Sequence, residues 1–440
     1  MPSQPTDVVV TGVGALASIG IGIDAFWVAM RDGVSGIGSL EFRDDDGPKP
    51  PFGWQNQANA GHWVGGPLIG FDAAQFVRPR KALKVMGREL QTAFAASQMA
   101  MNHAGLPAAI DDNLVLRNQV ATVFGSQMLY GPASEIADAV RSSMNSDRHC
   151  DIHLFGEFAM RDIMPLWMLK YLPNMAACHV GISIGATGPN NTIVSGDVSA
   201  TSALMESVCT LQRGAASAVV CGAAGSRIDE TNMIYRGDAP LPSVGPDIST
   251  TSRPHAVDAD GIVFGEAAAA LILETQSAAM ARGAKPLAVV AGHASRFVKP
   301  GAGWRGSSRA IVLAIEGAIA AAGIQPSDIG LVISHGTGDP QRDASERDAL
   351  AQAIPHSPVC IPIAITGHSG SAIGAVYLVT AVLSLQDNMI PATPTHGAMH
   401  PFMSERISSQ PRPLVKPVVV VLTHNSQGNA NAIILKRDAE

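Results

Sequence analysis

Gly188-Pro189-Asn190-Asn191-Thr192-Ile193-Val194-Ser195-Gly196-Asp197-Val198-Ser199-Ala200-Thr201-Ser202-Ala203 is the stretch on which the reading of this chain turns. A β-branched run leads into a Ser-Gly turn, after which Ala200, Ala203, Leu204, Val208 and Leu211 recur at helical spacing. Gly214 then supplies a C-terminal stop, so the order is strand, tight turn and helix. Asp197 falls at the turn, facing free backbone N–H groups and the positive end of the helix dipole. Such a position holds an anion or activates a thiol.

Outward from that stretch, apolar β-branched runs alternate with Ala-rich segments of helical period, the pattern of an α/β protein with covered sheets. Strands are expected at Val8–Thr11, Val120–Phe124, Thr192–Ser195 and Ala218–Cys221. A second series follows at Ala268–Glu274, Leu287–Ala291, Gly330–Ser334, Val359–Ile365, Val418–Leu422 and Ala432–Leu435. Helices are expected at Leu90–His103, Ser199–Arg213, Ser307–Ala322 and Ala344–Ala353. Turn-forming residues from Ser249 to Gly261 mark a join between two halves, 1–255 and 256–440. Pro48–Gly66, rich in Gly, Pro, Trp and Asn, reads as a surface excursion.

With 440 residues, 46% hydrophobic and 15% charged, the chain can bury a large core. Its formal charge of -7 comes without a basic run or basic-aromatic patch, which argues against a nucleic-acid partner. The apolar stretch Val8–Ala29 is broken by Gly12, Gly14, Gly20, Gly22 and Asp24, so neither a signal peptide nor a membrane span is expected. Five cysteines at irregular spacing, with no CxxC pair, read as reduced thiols of a cytoplasmic protein. Cys209 and Cys221 are expected to be small core residues. His149/His153 and His396/His400 have helix-face spacing, but neither pair is an HExxH, and neither a metal nor a cofactor is expected.

His335 stands in Ser334-His335-Gly336-Thr337-Gly338-Asp339, and His368 in Thr366-Gly367-His368-Ser369-Gly370. Each follows an expected buried strand and precedes a Gly-rich turn, where a side chain projects into a pocket at the strand ends. Two imidazoles there could donate hydrogen bonds to a thioester oxygen or an enolate.

The chain at this point resembles the β-ketoacyl-acyl carrier protein synthases of the thiolase superfamily, over essentially its whole length. The matching stretches are Val8-Val9-Val10-Thr11-Gly12-Val13-Gly14, Trp27 through Gly33-Val34-Ser35-Gly36-Ile37, and Asn174-Met175-Ala176-Ala177 with Gly188-Pro189. Further on come Ser252-Arg253-Pro254, Asp260-Gly261-Ile262-Val263-Phe264-Gly265-Glu266, His335-Gly336-Thr337-Gly338 with Asp343 and Glu346, Gly367-His368, and Gly428-Asn429-Ala430-Asn431-Ala432. The resemblance implies a thiolase-like five-layered α-β-α-β-α fold of two similar halves, and a dimer. In that family a cysteine takes an acyl chain from a carrier protein and two histidines support decarboxylation and condensation. Their positions here are Asp197, His335 and His368.

Asp197 is a poor substitute for a thiolate, because its attack on a thioester gives a mixed anhydride more reactive than the substrate. If ionised, it would repel a malonyl carboxylate about 5 Å away by roughly 3 kcal/mol at an effective dielectric near 20. The structural readings of Asp197, a helix N-terminal anchor or an ion pair with His335 or His368, therefore stand ahead of a nucleophile. The lysine that the family places five residues before the second histidine is Ile363 here, which removes a buried charge. Asn425 and Gln427, in His424-Asn425-Ser426-Gln427-Gly428, replace bulky apolar gate residues and are candidate substrate-binding residues.

The resemblance then implies a non-condensing subunit, similar to the chain-length factors of type II polyketide or fatty-acid systems, paired with a cysteine-bearing ketosynthase or with itself and served by an acyl carrier protein. Met128-Leu129-Tyr130 is either tunnel-facing or interface packing. The alternative is a stand-alone decarboxylase or acyltransferase that uses His335 and His368 without an acyl-cysteine; a third is a module that sequesters acyl thioesters.

Overall fold

Two sets of five strands, laid down in the same order, carry the architecture of the computed structural model, which describes residues 7–40, 63–106 and 114–437. The first set is β1 (Val8–Ala17), β2 (Val120–Ser126), β3 (Asn190–Val194), β4 (Ala218–Ser226) and β5 (Phe264–Thr275). The second is β6 (Ala288–Phe297), β7 (Leu331–Ile333), β8 (Val359–Cys360), β9 (Val418–His424) and β10 (Asn429–Lys436). Across the sheet the first set runs β1-β5-β4-β2-β3 and the second β6-β10-β9-β7-β8, the same permutation. The senses match as well: β1/β5 and β5/β4 are antiparallel, β4/β2 and β2/β3 parallel, as are their counterparts in the second set. A short antiparallel contact, Val9 opposite Val289 and Val10 opposite Ala288, joins the sets edge to edge.

Helices fill three layers around these strands. α1 (Arg88–His103) covers the outer face of the first set. α2 (Ile152–Asp162) lies at the periphery, with no buried residue, and α3 (Met175–Ile184) follows it. α4 (Ser199–Gln212) packs between the two sets together with α7 (Ile373–Asp387), while α5 (Ser308–Ala322) and α6 (Pro340–Ala353) cover the outer face of the second. The buried apolar residues divide accordingly: a central cluster contains residues of α4, α7 and both strand sets, and an outer cluster lies on each side. This is the expected five-layered α-β-α-β-α arrangement. α7 is apolar on all sides because it is sheathed by protein on all sides; among the described residues the stretch long and apolar enough to cross a membrane is this core helix with its leading turn.

Several boundaries differ from those expected. β5 lies beyond residue 255 and yet pairs with both β1 and β4, so strand order leads us to place the division between halves after Thr275 instead of at residue 255. The expected strand Val359–Ile365 stops at Cys360, because Pro362 opens a helical turn over Ile363–Thr366. Most of the expected excursion Pro48–Gly66 lies outside the described residues, but Val64–Gly66 is a buried strand beside Phe264 and Gly265, not surface loop. Cys221 is buried as expected, whereas Cys209 is exposed, since it sits on the face of α4 turned away from the core.

One close approach positions the site. A Cβ on Gly225, in β4, would overlap the backbone carbonyl oxygen of Ser369, next to His368. Gly225→Ala is expected to lower stability by about 1–3 kcal/mol, as overpacking does. Gly156→Ala, in the open space around α2, should be neutral or stabilising by about 0.4–1 kcal/mol. Urea denaturation of the two variants checks the contrast.

Candidate functional site

Asp197 is delivered to the centre of the molecule by the turn between β3 and α4. Gly196 takes a left-handed conformation (φ 60°) that lets the chain reverse, and residues 196–198 form a single 3-10 turn before the helix begins. Ser199 fastens the turn: its Oγ accepts from the Ser195 N–H at 2.8 Å and donates to the Ser126 carbonyl, at the end of β2, at 2.9 Å. Asp197 is 5% exposed.

His335 enters from the end of β7 and is held by α6. Glu346 accepts from the His335 N–H at 3.1 Å, the Ser334 hydroxyl at 2.6 Å and His424 Nε2 at 3.0 Å. Asp343 accepts from the backbone N–H groups of His255 and Thr337, both at 2.7 Å, and of Gly338 at 3.1 Å. Both carboxylates belong to a helix that Asp339 and Pro340 start, the Asp339 side chain accepting from the Gln341 N–H at 3.0 Å. His368 comes from the opposite side: its N–H donates to the Val263 carbonyl at 2.8 Å and its own carbonyl accepts from Gly265, laying its loop along the start of β5.

The same helix face supplies a residue that the sequence reading did not single out. Arg342 Nη2 lies 2.7 Å from Asp197 Oδ2, 3.0 Å from His335 Nε2 and 2.9 Å from the His424 carbonyl. Arg227, immediately after β4, brings a second guanidinium to 3.6 Å from Asp197 Oδ1 and places it over the Phe264 ring. His368 Nε2 is 3.3 Å and His335 Nε2 3.7 Å from Asp197 Oδ2. The buried charge thought lost at Ile363 is thus present after all; Ile363 is buried and apolar, but Arg342 and Arg227 provide cations from other elements. Signals existed for Arg342: it is seven residues after His335 and four before Glu346, on a helix opened by Asp-Pro. Arg227 carries no such signal.

Arg342 Nη2 carries two hydrogens and faces three acceptors, Asp197 Oδ2, the His424 carbonyl and His335 Nε2, and shares them among the three. His368 Nδ1 accepts from the Gly370 N–H at 3.2 Å, which leaves the proton on Nε2, directed at Asp197 without a well-formed hydrogen bond. Burial pushes His335 down to about 3, aided by the charges of His424 and Arg342, so this imidazole is neutral at physiological pH. His368 is also lowered by burial. Burial opposes the charge of Asp197, but His368 and Arg342, with contacts from both histidines, hold it well below the usual carboxylate range. Arg342, a permanent cation at 2.7 Å, is its nearest counter-charge.

Asp197 is therefore an ion-pair centre. The expected pairing with His335 and His368 is present in outline, with Arg342 the nearest partner, and among the described residues no backbone N–H donates to the carboxylate as a simple helix anchor requires. Ligand atoms of Asp197, His335 and His368 lie within 4.8 Å of one another, a spacing that a metal could use, but the Arg342 guanidinium already stands between two of them. Asn425 is spent on its own loop, its Oδ1 accepting from the N–H groups of Gln427 at 3.2 Å and Asn429 at 3.0 Å. Gln427 is exposed. Among the described residues, neither side chain forms a hydrogen bond with Asp197, His335, His368 or Arg342.

Two predictions follow from this cluster. Arg342→Met removes one half of a buried pair and should cost about 3–5 kcal/mol, with Asp197→Asn/Arg342→Met recovering part of the loss in a denaturation double-mutant cycle. The second concerns pH. An unfolded His335 takes a proton near pH 6.5, whereas the folded one refuses it until about 3, so the unfolded state binds more protons in between and stability falls as pH drops through that window. His335→Gln should give a shallower fall between those limits when unfolding midpoints are measured against pH.

Two family models match the chain: Beta-ketoacyl synthase, N-terminal domain, over residues 6–279, and Beta-ketoacyl synthase, C-terminal domain, over residues 287–396. Among similar curated proteins, a 3-oxoacyl-[acyl-carrier-protein] synthase 2 of Synechocystis sp. is 29% identical over 398 residues, spanning 88% of this chain and 87% of that protein. A putative polyketide beta-ketoacyl synthase 2 of Streptomyces coelicolor is 28% identical over 447 residues, 98% of this chain and 95% of its own. The solved ishigamide ketosynthase/chain length factor superposes with a TM-score of 0.79 at 23% identity, covering 98% of this chain and 99% of the matched one.

Proposed function

Since the chain belongs to the β-ketoacyl synthase family, we propose that it is a non-condensing ketosynthase-like subunit of a type II polyketide or fatty-acid system, which pairs with a cysteine-bearing ketosynthase and helps to shape its acyl tunnel. The observation that carries the reading is the buried ion pair of Arg342 Nη2 with Asp197 Oδ2, at 2.7 Å. Condensation needs imidazole N–H groups aimed at a developing oxyanion. Here His335 Nε2 and His368 Nε2 face Asp197 Oδ2 at 3.7 and 3.3 Å, and the place of the nucleophile holds a carboxylate neutralised by Arg342. The reaction centre is closed on itself by buried charge pairs that an incoming thioester would have to break.

Pairing is supported by the edge of the first strand set. β3 has β2 on one side and no strand on the other among the described residues. On it or near it stand Val194, Ile182 and Met128, exposed to 48%, 77% and 61%. An open strand edge beside exposed apolar side chains is a surface that a second subunit covers. The carrier protein enters this reading through the names of the curated relatives.

One feature favours the stand-alone alternative. His368 Nε2–H is buried 3.3 Å from Asp197 Oδ2 without a well-formed hydrogen bond to it, and a donor so placed could turn to polarise a thioester carbonyl. The test separates the two. On the non-condensing reading, the purified chain given malonyl-carrier protein forms neither acetyl-carrier protein nor an acyl adduct visible by intact mass, while co-expression with a cysteine-bearing ketosynthase yields a stable complex whose condensation depends on that partner's cysteine. Decarboxylation by the chain alone that is lost in His368→Ala would overturn it.

A further inference from the structure

Two guanidiniums gather at one aromatic ring beside the Asp197 centre. Arg227, immediately after β4, and Arg236, just beyond the helical turn Glu230–Ile234, lie 5.3 and 3.8 Å from the centroid of the Phe264 ring at the start of β5. Phe264 is buried, and its ring stands 6.5 Å from that of His368. Like charges brought this close repel each other. Burial first, then the charge of Arg227, bring Arg236 down to about 10, which leaves it a cation at neutral pH.

Neither cation has a matching anion. Arg236 Nη2 donates to the carbonyls of Ile262 and Pro240, at 2.5 and 3.3 Å, but its Nε is buried without an acceptor and it forms no ion pair among the described residues. The Arg227 side chain forms no hydrogen bond among the described residues. Its contact with Asp197 Oδ1 is 3.6 Å long, too long for one, and Asp197 is already held by Arg342 at 2.7 Å. Asp229, two residues from Arg227, has both oxygens taken by Asn232, and Asp238, two residues from Arg236, is exposed and does not pair with it. Arg227 is nevertheless held in place: a Cβ on Gly370 would come within 2.8 Å of its Nε, so the side chain runs close against the turn after His368. Each guanidinium offers five N–H donors, and donors in a folded interior are ordinarily matched; here most are not.

We propose that Arg227 and Arg236 form an oxyanion site beside the Asp197 centre, which takes the carboxylate or phosphate group of a small ligand between the two guanidiniums. The fork of N–H groups on each arginine matches the oxygens of either group, and the ligand's charge relieves the repulsion between the two cations. A cation would add to that repulsion, and a neutral ligand would leave both charges without a partner. The Arg227 side chain is 22% exposed, so an ion reaches it from solvent. Because Arg227 also faces Asp197, an anion bound there competes with that carboxylate for the same guanidinium and leaves Arg342 as the cation that holds Asp197. The site stands whether or not the centre condenses.

Isothermal titration calorimetry of the full chain with inorganic phosphate, and separately with succinate, at an ionic strength held constant with sodium chloride, tests the proposal. At least one probe should bind saturably with a Kd of about 1 mM or tighter, and which of them does so tells a phosphate ligand from a carboxylate one. Arg227→Gln and Arg236→Gln should each weaken binding by about tenfold or more, and Asp197→Asn, which removes the competing carboxylate, should tighten it. No saturable binding of either probe up to about 10 mM overturns the proposal. So does binding that both arginine variants retain, as exposed cations such as Arg80 and Lys81 would give, or an affinity that Asp197→Asn leaves unchanged. Should Arg236→Gln fail to fold, Arg227→Gln, which removes no hydrogen bond among the described residues, still decides the matter.

Discussion

A single nitrogen, Nη2 of Arg342, ties the centre of this protein together. It reaches Asp197 at the mouth of α4, His335 after β7 and the carbonyl of His424 at the end of β9, three groups from both halves of the chain. All of these groups are buried, so each contact is electrostatically strong and each would be costly to leave unmade. The guanidinium also settles chemistry. With His368, and as a permanent cation, it keeps Asp197 ionised at a depth where an isolated carboxylate would take up a proton.

The fold explains why such a cluster can exist. Two strand sets with one permutation place the ends of β3 and β7 on either side of the middle helical layer, so the turn after each strand projects toward the same point. Cross-half contacts hold that geometry: Asn431 Nδ2, on β10, donates to Thr201 Oγ1 at 3.0 Å and Ser202 Oγ at 2.9 Å, and the Thr201 and Thr423 hydroxyls meet at 2.7 Å. Behind His335, Glu346 and Asp343 absorb the backbone donors of the turn; burial works against the Glu346 charge, but His424 and Ser334 bring it down to about 2. The framework of a ketosynthase is thus kept intact around a centre whose donors and charges face one another.

Legibility differed from element to element for identifiable reasons. β1, β4, β5 and α4 were readable because long apolar runs and helical spacing are local properties, although the actual strands run further than the apolar stretches suggest: β1 continues through Gly12 and Gly14, whose missing side chains let α1 lie against the sheet. The strand expected through Ile365 failed on local chemistry, since Pro362 starts a helical turn. Cys209 was misplaced because helical period alone does not say which face of α4 meets the core. Asn425 and Gln427 were read as pocket residues from their positions, but Asn425 is consumed by the turn that it closes.

From sequence alone came the α/β class, because strand-turn-helix signals and glycine-marked turns are written in contiguous residues, and, through the resemblance to the ketosynthases, the two-halved architecture and the positions Asp197, His335 and His368. Tertiary structure alone decided what those residues do to one another. The separation of 145 positions between Asp197 and Arg342 carries no local signal, and the direction of a buried hydrogen bond depends on which groups are brought within 3 Å and shut off from water. Charge compensation in a low-dielectric interior is a property of the assembled neighbourhood, and here it turned an apparently emptied catalytic position into a neutralised one.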